Sequence, residues 1–166
     1  MPEIGKITKN SFDCESVKWK IPRASKALLE VDSELLSPCF SYKDADWSLK
    51  LHPYGRSNFQ TEGWIDVVIE RQRSEVLQHS FSYRIFLECQ RERKTDILTG
   101  SLVFDESQLQ RAITFFTSWS KIFHYDEKHK ACDAITLVCE FQSQKNAKLE
   151  PESMNRNLGK EFLTLS

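Results

Sequence analysis

The stretch Trp47-Ser48-Leu49-Lys50-Leu51-His52, closed by Pro53-Tyr54-Gly55, decides the fold class. Trp47, Leu49 and Leu51 alternate with polar residues, so in an extended chain they share one face and can be buried together, while the Pro-Tyr-Gly run that follows is turn chemistry. Working outward, Trp64-Ile65-Asp66-Val67-Val68-Ile69-Glu70 is rich in β-branched and aromatic side chains, and Phe81-Ser82-Tyr83-Arg84-Ile85-Phe86-Leu87 alternates again. Both read as strands. Upstream, Val17-Lys18-Trp19-Lys20-Ile21-Pro22 is an alternating strand that turns Trp19 inward and ends at Pro22. The short apolar run over 33–41 is broken by Pro38, which belongs at an edge or bulge because it has no N–H to donate.

Downstream, the polar segment 88–96 reads as an exposed connection and Leu98 to Phe104 as a further strand. From Ser107 to Phe123 the apolar residues Leu109, Ala112, Ile113, Phe116, Trp119 and Phe123 recur at intervals of three and four, the period of a helix face, with Asp105 or Ser107 as its cap. Ala134 to Phe141 makes a last, nearly continuous apolar strand. Seven or eight strands with one late helix imply an antiparallel β-sandwich. Residues 1–14 read as an N-terminal tail, 15–143 as the sandwich, and 144–166 as a linker with a possible short helix.

The 166 residues are 40% hydrophobic and 28% charged, enough for one core and one domain. A formal charge of −1, with Lys and Arg scattered along the chain, gives no electrostatic footprint for nucleic acid or anionic membrane. No stretch has the length of a membrane span or the pattern of a signal peptide, so a place in the cytoplasm or nucleus is expected. The five cysteines, Cys14, Cys39, Cys89, Cys132 and Cys139, are odd in number and contain no Cys-x-x-Cys pair. They read as reduced thiols, mostly small core residues.

Catalytic and metal chemistries find little footing. His124-Tyr125-Asp126-Glu127-Lys128-His129 gathers two imidazoles and two carboxylates, but a polar loop accounts for it, since zinc needs about four ligands with supporting contacts. There is no Gly-x-Ser-x-Gly elbow and no glycine-rich phosphate loop. With five glycines in all, a cofactor cradle is hard to build, so neither enzyme activity nor a cofactor is expected. Sugar stacking on exposed indoles is the other use of four tryptophans. Here Trp19, Trp47 and Trp64 fall at inward strand positions and Trp119 on the apolar helix face, which assigns all four to the core. The mixed-sign run Gln90-Arg91-Glu92-Arg93-Lys94 reads as a solvated turn.

Trp19-Lys20-Ile21, Ser37-Pro38-Cys39-Phe40, Trp47 through Gly55, and the closing Asp133-Ala134-Ile135-Thr136-Leu137-Val138-Cys139-Glu140 together resemble the signature of MATH (meprin and TRAF homology) domains over roughly residues 15–143. Within that family the chain resembles the substrate-binding domain of speckle-type POZ protein-like MATH-BTB proteins. The resemblance implies an eight-stranded antiparallel sandwich that holds an extended peptide along one sheet. It also implies service as a substrate adaptor, or an antagonist, for a cullin ubiquitin ligase reached through a BTB domain, which these residues do not include. Position by position it carries the peptide groove onto Val68, Phe81, Val103, Arg111 and Ile113. Only Phe81 keeps an aromatic side chain there. The family's Trp-Gly-Phe turn falls on Arg111-Ala112-Ile113 by an ungapped count from the last strand, or on Trp119-Ser120-Lys121 if Trp is matched to Trp; the helical face given to Trp119 favours the first. A monomer binding a protein partner is expected, and a structural, self-associating sandwich without peptide recognition is the alternative.

Overall fold

The computed structural model describes residues 3–11, 15–24, 30–89, 93–122 and 134–143. They form two antiparallel sheets. The first contains β1 (Lys6–Ser11), β2 (Glu15–Ile21), β11 (Ile135–Ser143), β7 (His79–Cys89), β8 (Arg93–Lys94) and β9 (Leu98–Phe104), with β8 and β9 both pairing with β7. The second contains β10 (Gln110–Phe115), β6 (Ile65–Ser74), β5 (Ala45–His52), β3 (Leu35–Leu36) and β4 (Phe40–Tyr42), the last two both on β5. The chain is therefore an all-β sandwich of two antiparallel sheets. Pro38 sits in the break between β3 and β4, where no ladder donor is needed. Residues 6–11, expected in a tail, form β1 and pair with β2 from Lys6↔Lys20 to Ser11↔Glu15.

Period-two alternation fills the space between the sheets. Val17, Trp19 and Ile21 of β2, Trp47, Leu49 and Leu51 of β5, Ile65, Val67 and Ile69 of β6, and Phe81, Ile85 and Leu87 of β7 belong to one buried cluster. At its centre Phe81 packs against Phe104, Phe141, Trp47 and Tyr42, with ring centroids 4.9 to 5.7 Å apart. Phe104 is stacked on Phe81 and the other three rings meet it edge-on, geometries that add to the area term.

Three expectations are corrected. The helix expected from Ser107 to Phe123 is a strand over Gln110–Phe115, and the helix α1 is confined to Trp119–Ile122. Ile113 and Phe115 are buried while Ala112 and Phe116 are exposed, so a period of two prevails where β-branched and aromatic residues follow one another. The capping chemistry is present but serves a turn: Asp105 Oδ1 accepts from the Ser107 and Gln108 N–H groups, both at 2.9 Å, and starts the β9–β10 connection. Trp64 is not in the core. It lies just before β6, 40% exposed, edge-on to the 75% exposed Phe116 with centroids 5.6 Å apart. Finally, Cys89 is disulfide-bonded, whereas Cys39 and Cys139 are free. Spacing along the chain could not reveal this, because pairing depends on which strands become neighbours.

One end of the second sheet is closed by the loop between β5 and β6. Gly55 has φ +81°, and a Cβ there would fall 1.9 Å from the Thr61 carbonyl oxygen, so only glycine fits. The loop folds over Asp66, which is fully buried and accepts from Arg56 Nε at 3.0 Å, Thr61 Oγ1 at 2.7 Å and the Thr114 hydroxyl. Asp66 faces His52 across the ladder. His52 is buried, its Nε2 lies 4.0 Å from Glu34 Oε1, and its Nδ1 has no hydrogen-bond partner among the described residues. Burial first, then Arg56, holds its pKa below the usual imidazole value, while Glu34 pulls the other way.

Candidate functional site

The residues expected to line a groove are split by the sandwich. Phe81 and Ile113 face inward and belong to the core cluster, at 2% and 6% exposure. Val68, also nearly inaccessible, alternates with the core residues Val67 and Ile69 and so lies on the opposite face of its sheet, across from Ala112 and Lys50. Only Val103 and Arg111 are brought together within reach of solvent. Arg111 Nη1 donates to the Val103 carbonyl at 3.0 Å and to Gln108 Oε1 at 3.2 Å, bridging β10 of one sheet and β9 of the other.

Around this pair the sandwich has two open strand edges. Among the described residues β9 pairs only with β7, and β10 only with β6. The Arg71 N–H donates to the Leu109 carbonyl at 2.9 Å, which makes that opposed pair hydrogen-bonded. By the alternation of an antiparallel ladder, the backbone groups of Gln110, Ala112 and Thr114 then point away from β6, toward the open edge. Beside that edge stand the exposed apolar side chains Val103 and Leu109.

Sequence reasoning missed three neighbours of this edge. Tyr83 on β7 packs over Gly100 of β9, whose missing Cβ leaves room for the ring; burial raises the phenol pKa and nearby Arg111 opposes the rise. Arg71 is an inward-facing cation, 4% exposed, at the end of β6. Its guanidinium donates to the carbonyls of Val76 (3.4 Å) and Leu77 (3.2 Å) and to His79 Nδ1 (3.0 Å), while His79 Nε2 meets the Lys43 carbonyl at 2.6 Å. An obligate donor at Nδ1, the Arg71 guanidinium, and an obligate acceptor at Nε2, the Lys43 carbonyl, fix His79 as the Nε2–H tautomer. A cleft of about 350 Å³ opens above Arg71, walled by Val76, Leu77, Glu106 and Leu109, and a second of about 520 Å³ lies across Val76, beside His79 and Phe81. The apolar tips Leu77 and Leu109 were legible as residues, but not their convergence, which depends on the β6–β7 turn meeting the start of β10.

The chemistry available along this edge is recognition by main-chain pairing with shallow apolar and charged flanks. The two free thiols among the described residues are poor nucleophiles as placed: burial raises the pKa of Cys39, with Glu3 and Asp46 adding to the effect, and pushes that of Cys139 far above the usual thiol value. Among the described residues no group of three or more His, Cys, Asp or Glu side chains is arranged to hold a metal ion, and no helix is long and apolar enough to cross a membrane. The run His124 to His129 lies outside the described residues. No family model matches the chain, and no curated protein matches it.

Proposed function

We propose that the chain is a non-catalytic recognition module that binds an extended segment of a partner protein along the open edge of β10, as the MATH domains it resembles hold their peptides. The observation that carries this reading is the β10 edge, which pairs with no strand but β6 among the described residues. The main-chain groups of Gln110, Ala112 and Thr114 face outward, with Val103 and Leu109 exposed alongside. An added strand would take its affinity from these main-chain bonds and its selectivity from the flanking side chains. Work as an adaptor or antagonist for a cullin-BTB ubiquitin ligase rests on the sequence resemblance alone.

The Ala112→Pro variant tests the mechanism, because it removes an outward N–H that no described strand uses while proline at such an edge position is tolerated. Partners captured from cell extract by the parent and lost by a folded Ala112→Pro variant support edge pairing. An unchanged set of partners sinks it. The same edge could pair with β10 of a second copy, the self-associating alternative. A dimer in sedimentation that dissociates in Ala112→Pro, together with no captured partner, would favour that reading instead.

A further inference from the structure

Basic residues that are scattered in the sequence converge on the outer face of the first sheet. Val17, Trp19 and Ile21 point inward, so Lys18 and Lys20 of β2 point outward on the other face. The β1–β2 register then sets Lys6 directly opposite Lys20, with Thr8 opposite Lys18. All three lysines are exposed. Like charges directly opposed across a ladder destabilise it, so this is an arrangement that sheet stability alone disfavours.

The contrast with the other strand cations sharpens the point. Lys50 pairs with Glu70, Arg73 with Asp46 and Arg84 with Glu140. Lys9 donates to the Ser41 carbonyl, Arg71 and Arg111 donate to carbonyls, and Lys94 lies over the Phe86 ring. Lys6, Lys18 and Lys20 have no side-chain partner among the described residues. The two acidic residues that β11 and β7 place on this face are turned elsewhere, Glu140 to Arg84 and Glu88 opposite Lys94.

We infer that Lys6, Lys18 and Lys20 form a docking face for an acidic, extended segment of a partner protein with carboxylates at alternate positions. Alternate residues of a strand are about 6.6 Å apart, which is also the spacing of Lys18 and Lys20, so a segment lying along β2 would place one carboxylate over each. The third lysine closes the site from β1. Charge complementarity selects the partner: the trio is compact, without exposed large apolar residues of β1, β2 or β11 beside it to enter a lipid surface, and three cations on two strands are too few to hold a long polyanion such as nucleic acid. This face is distinct from the β10 edge and does not depend on its function.

The test is fluorescence anisotropy of the whole chain with a labelled short peptide of alternating glutamate and threonine, beside one with its glutamates contiguous and one with glutamine for glutamate. The alternating peptide should bind, weaken as ionic strength rises from ~0.01 to ~0.15 M, and lose at least about tenfold in affinity to a Lys18→Glu/Lys20→Glu variant. Lys18→Arg/Lys20→Arg should bind like the parent. These side chains are exposed, and Lys20→Glu turns a like-charge pair with Lys6 into an opposite-charge one, so the reversed variant should melt no lower than the parent. No binding by the parent, equal binding of the glutamine or contiguous peptide, full binding by the reversed variant, or tighter binding to phosphatidylserine vesicles or single-stranded DNA than to the peptide would overturn the inference.

Discussion

Arg111 Nη1 donates to the carbonyl oxygen of Val103 at 3.0 Å, and this one bond joins the open edge of one sheet to the open edge of the other. Because the guanidinium is only half-buried, water can replace part of what it supplies. Arg111→Ala should therefore lower stability by about 1 kcal/mol, with Arg111→Lys recovering less than half, since a lysine side chain is one bond too short to set its ammonium where Nη1 lies. Urea unfolding midpoints at unchanged slope measure this. An unshifted midpoint would mean that the bridge adds nothing to the fold.

Neighbouring residues of β10 should respond in opposite ways to the same charge. Ile113→Asp buries a carboxylate in the core and should cost more than about 3 kcal/mol, whereas Ala112→Asp, on the exposed face, should change stability by no more than about 0.5 kcal/mol. Near-ultraviolet circular dichroism during thermal melting separates the two. Similar losses in both variants would contradict the strand alternation over Gln110–Phe115. It follows that Ile113 and Phe81 substitutions are poor probes of binding, because they act on the fold.

Stability should fall as the pH drops through the ordinary imidazole value of 6.5, because of His52. Its folded pKa is depressed, so below 6.5 the unfolded chain takes up the proton first, and the contribution present at neutral pH is lost on acidification. Removing the imidazole in His52→Gln should flatten the dependence. Glu34→Gln should steepen it, since the carboxylate is what partly holds the proton on. Unfolding free energies from pH 7 to about pH 5 for the three proteins decide the matter, and parallel curves would exclude His52 as the source.

Iodide should quench one tryptophan of the four. Trp19, Trp47 and Trp119 are at most 3% exposed and Trp64 is 40% exposed, so the quenchable fraction of the emission should disappear in Trp64→Phe. Quenching that survives this substitution would place a second indole at the surface.

What the sequence discloses depends on how far each signal reaches along the chain. Alternation is local, and it identified β2, β5, β6, β7, β9 and β11 and the inward faces of Trp19 and Trp47. It failed over 107–116 because Leu109, Ala112, Ile113 and Phe116 satisfy a helical spacing by coincidence, while the burial that decides the matter is set by the distant strand β6, through Ile113↔Val67 and its neighbours. Trp64 was assigned inward on the same local rule, but it precedes the strand and escapes the alternation. The groove residues suffered more. Val68 and Phe81 are where strands were expected and Ile113 is in a strand where a helix was, yet which face each presents is a matter of sheet packing, and only Val103 and Arg111 meet at the surface. The lysine face was hidden altogether, since its members come from two strands whose pairing no local pattern announces.

β2 lies between β1 and β11, with Trp19 opposite Leu137. The near end of the chain is thus enclosed by the far end, a contact of long sequence separation that a chain closes slowly. On the ribosome the first sheet must wait, with the inward face of β2 uncovered, until the residues of β11 have emerged. During that interval Val17, Trp19 and Ile21 are the surface most in need of a chaperone.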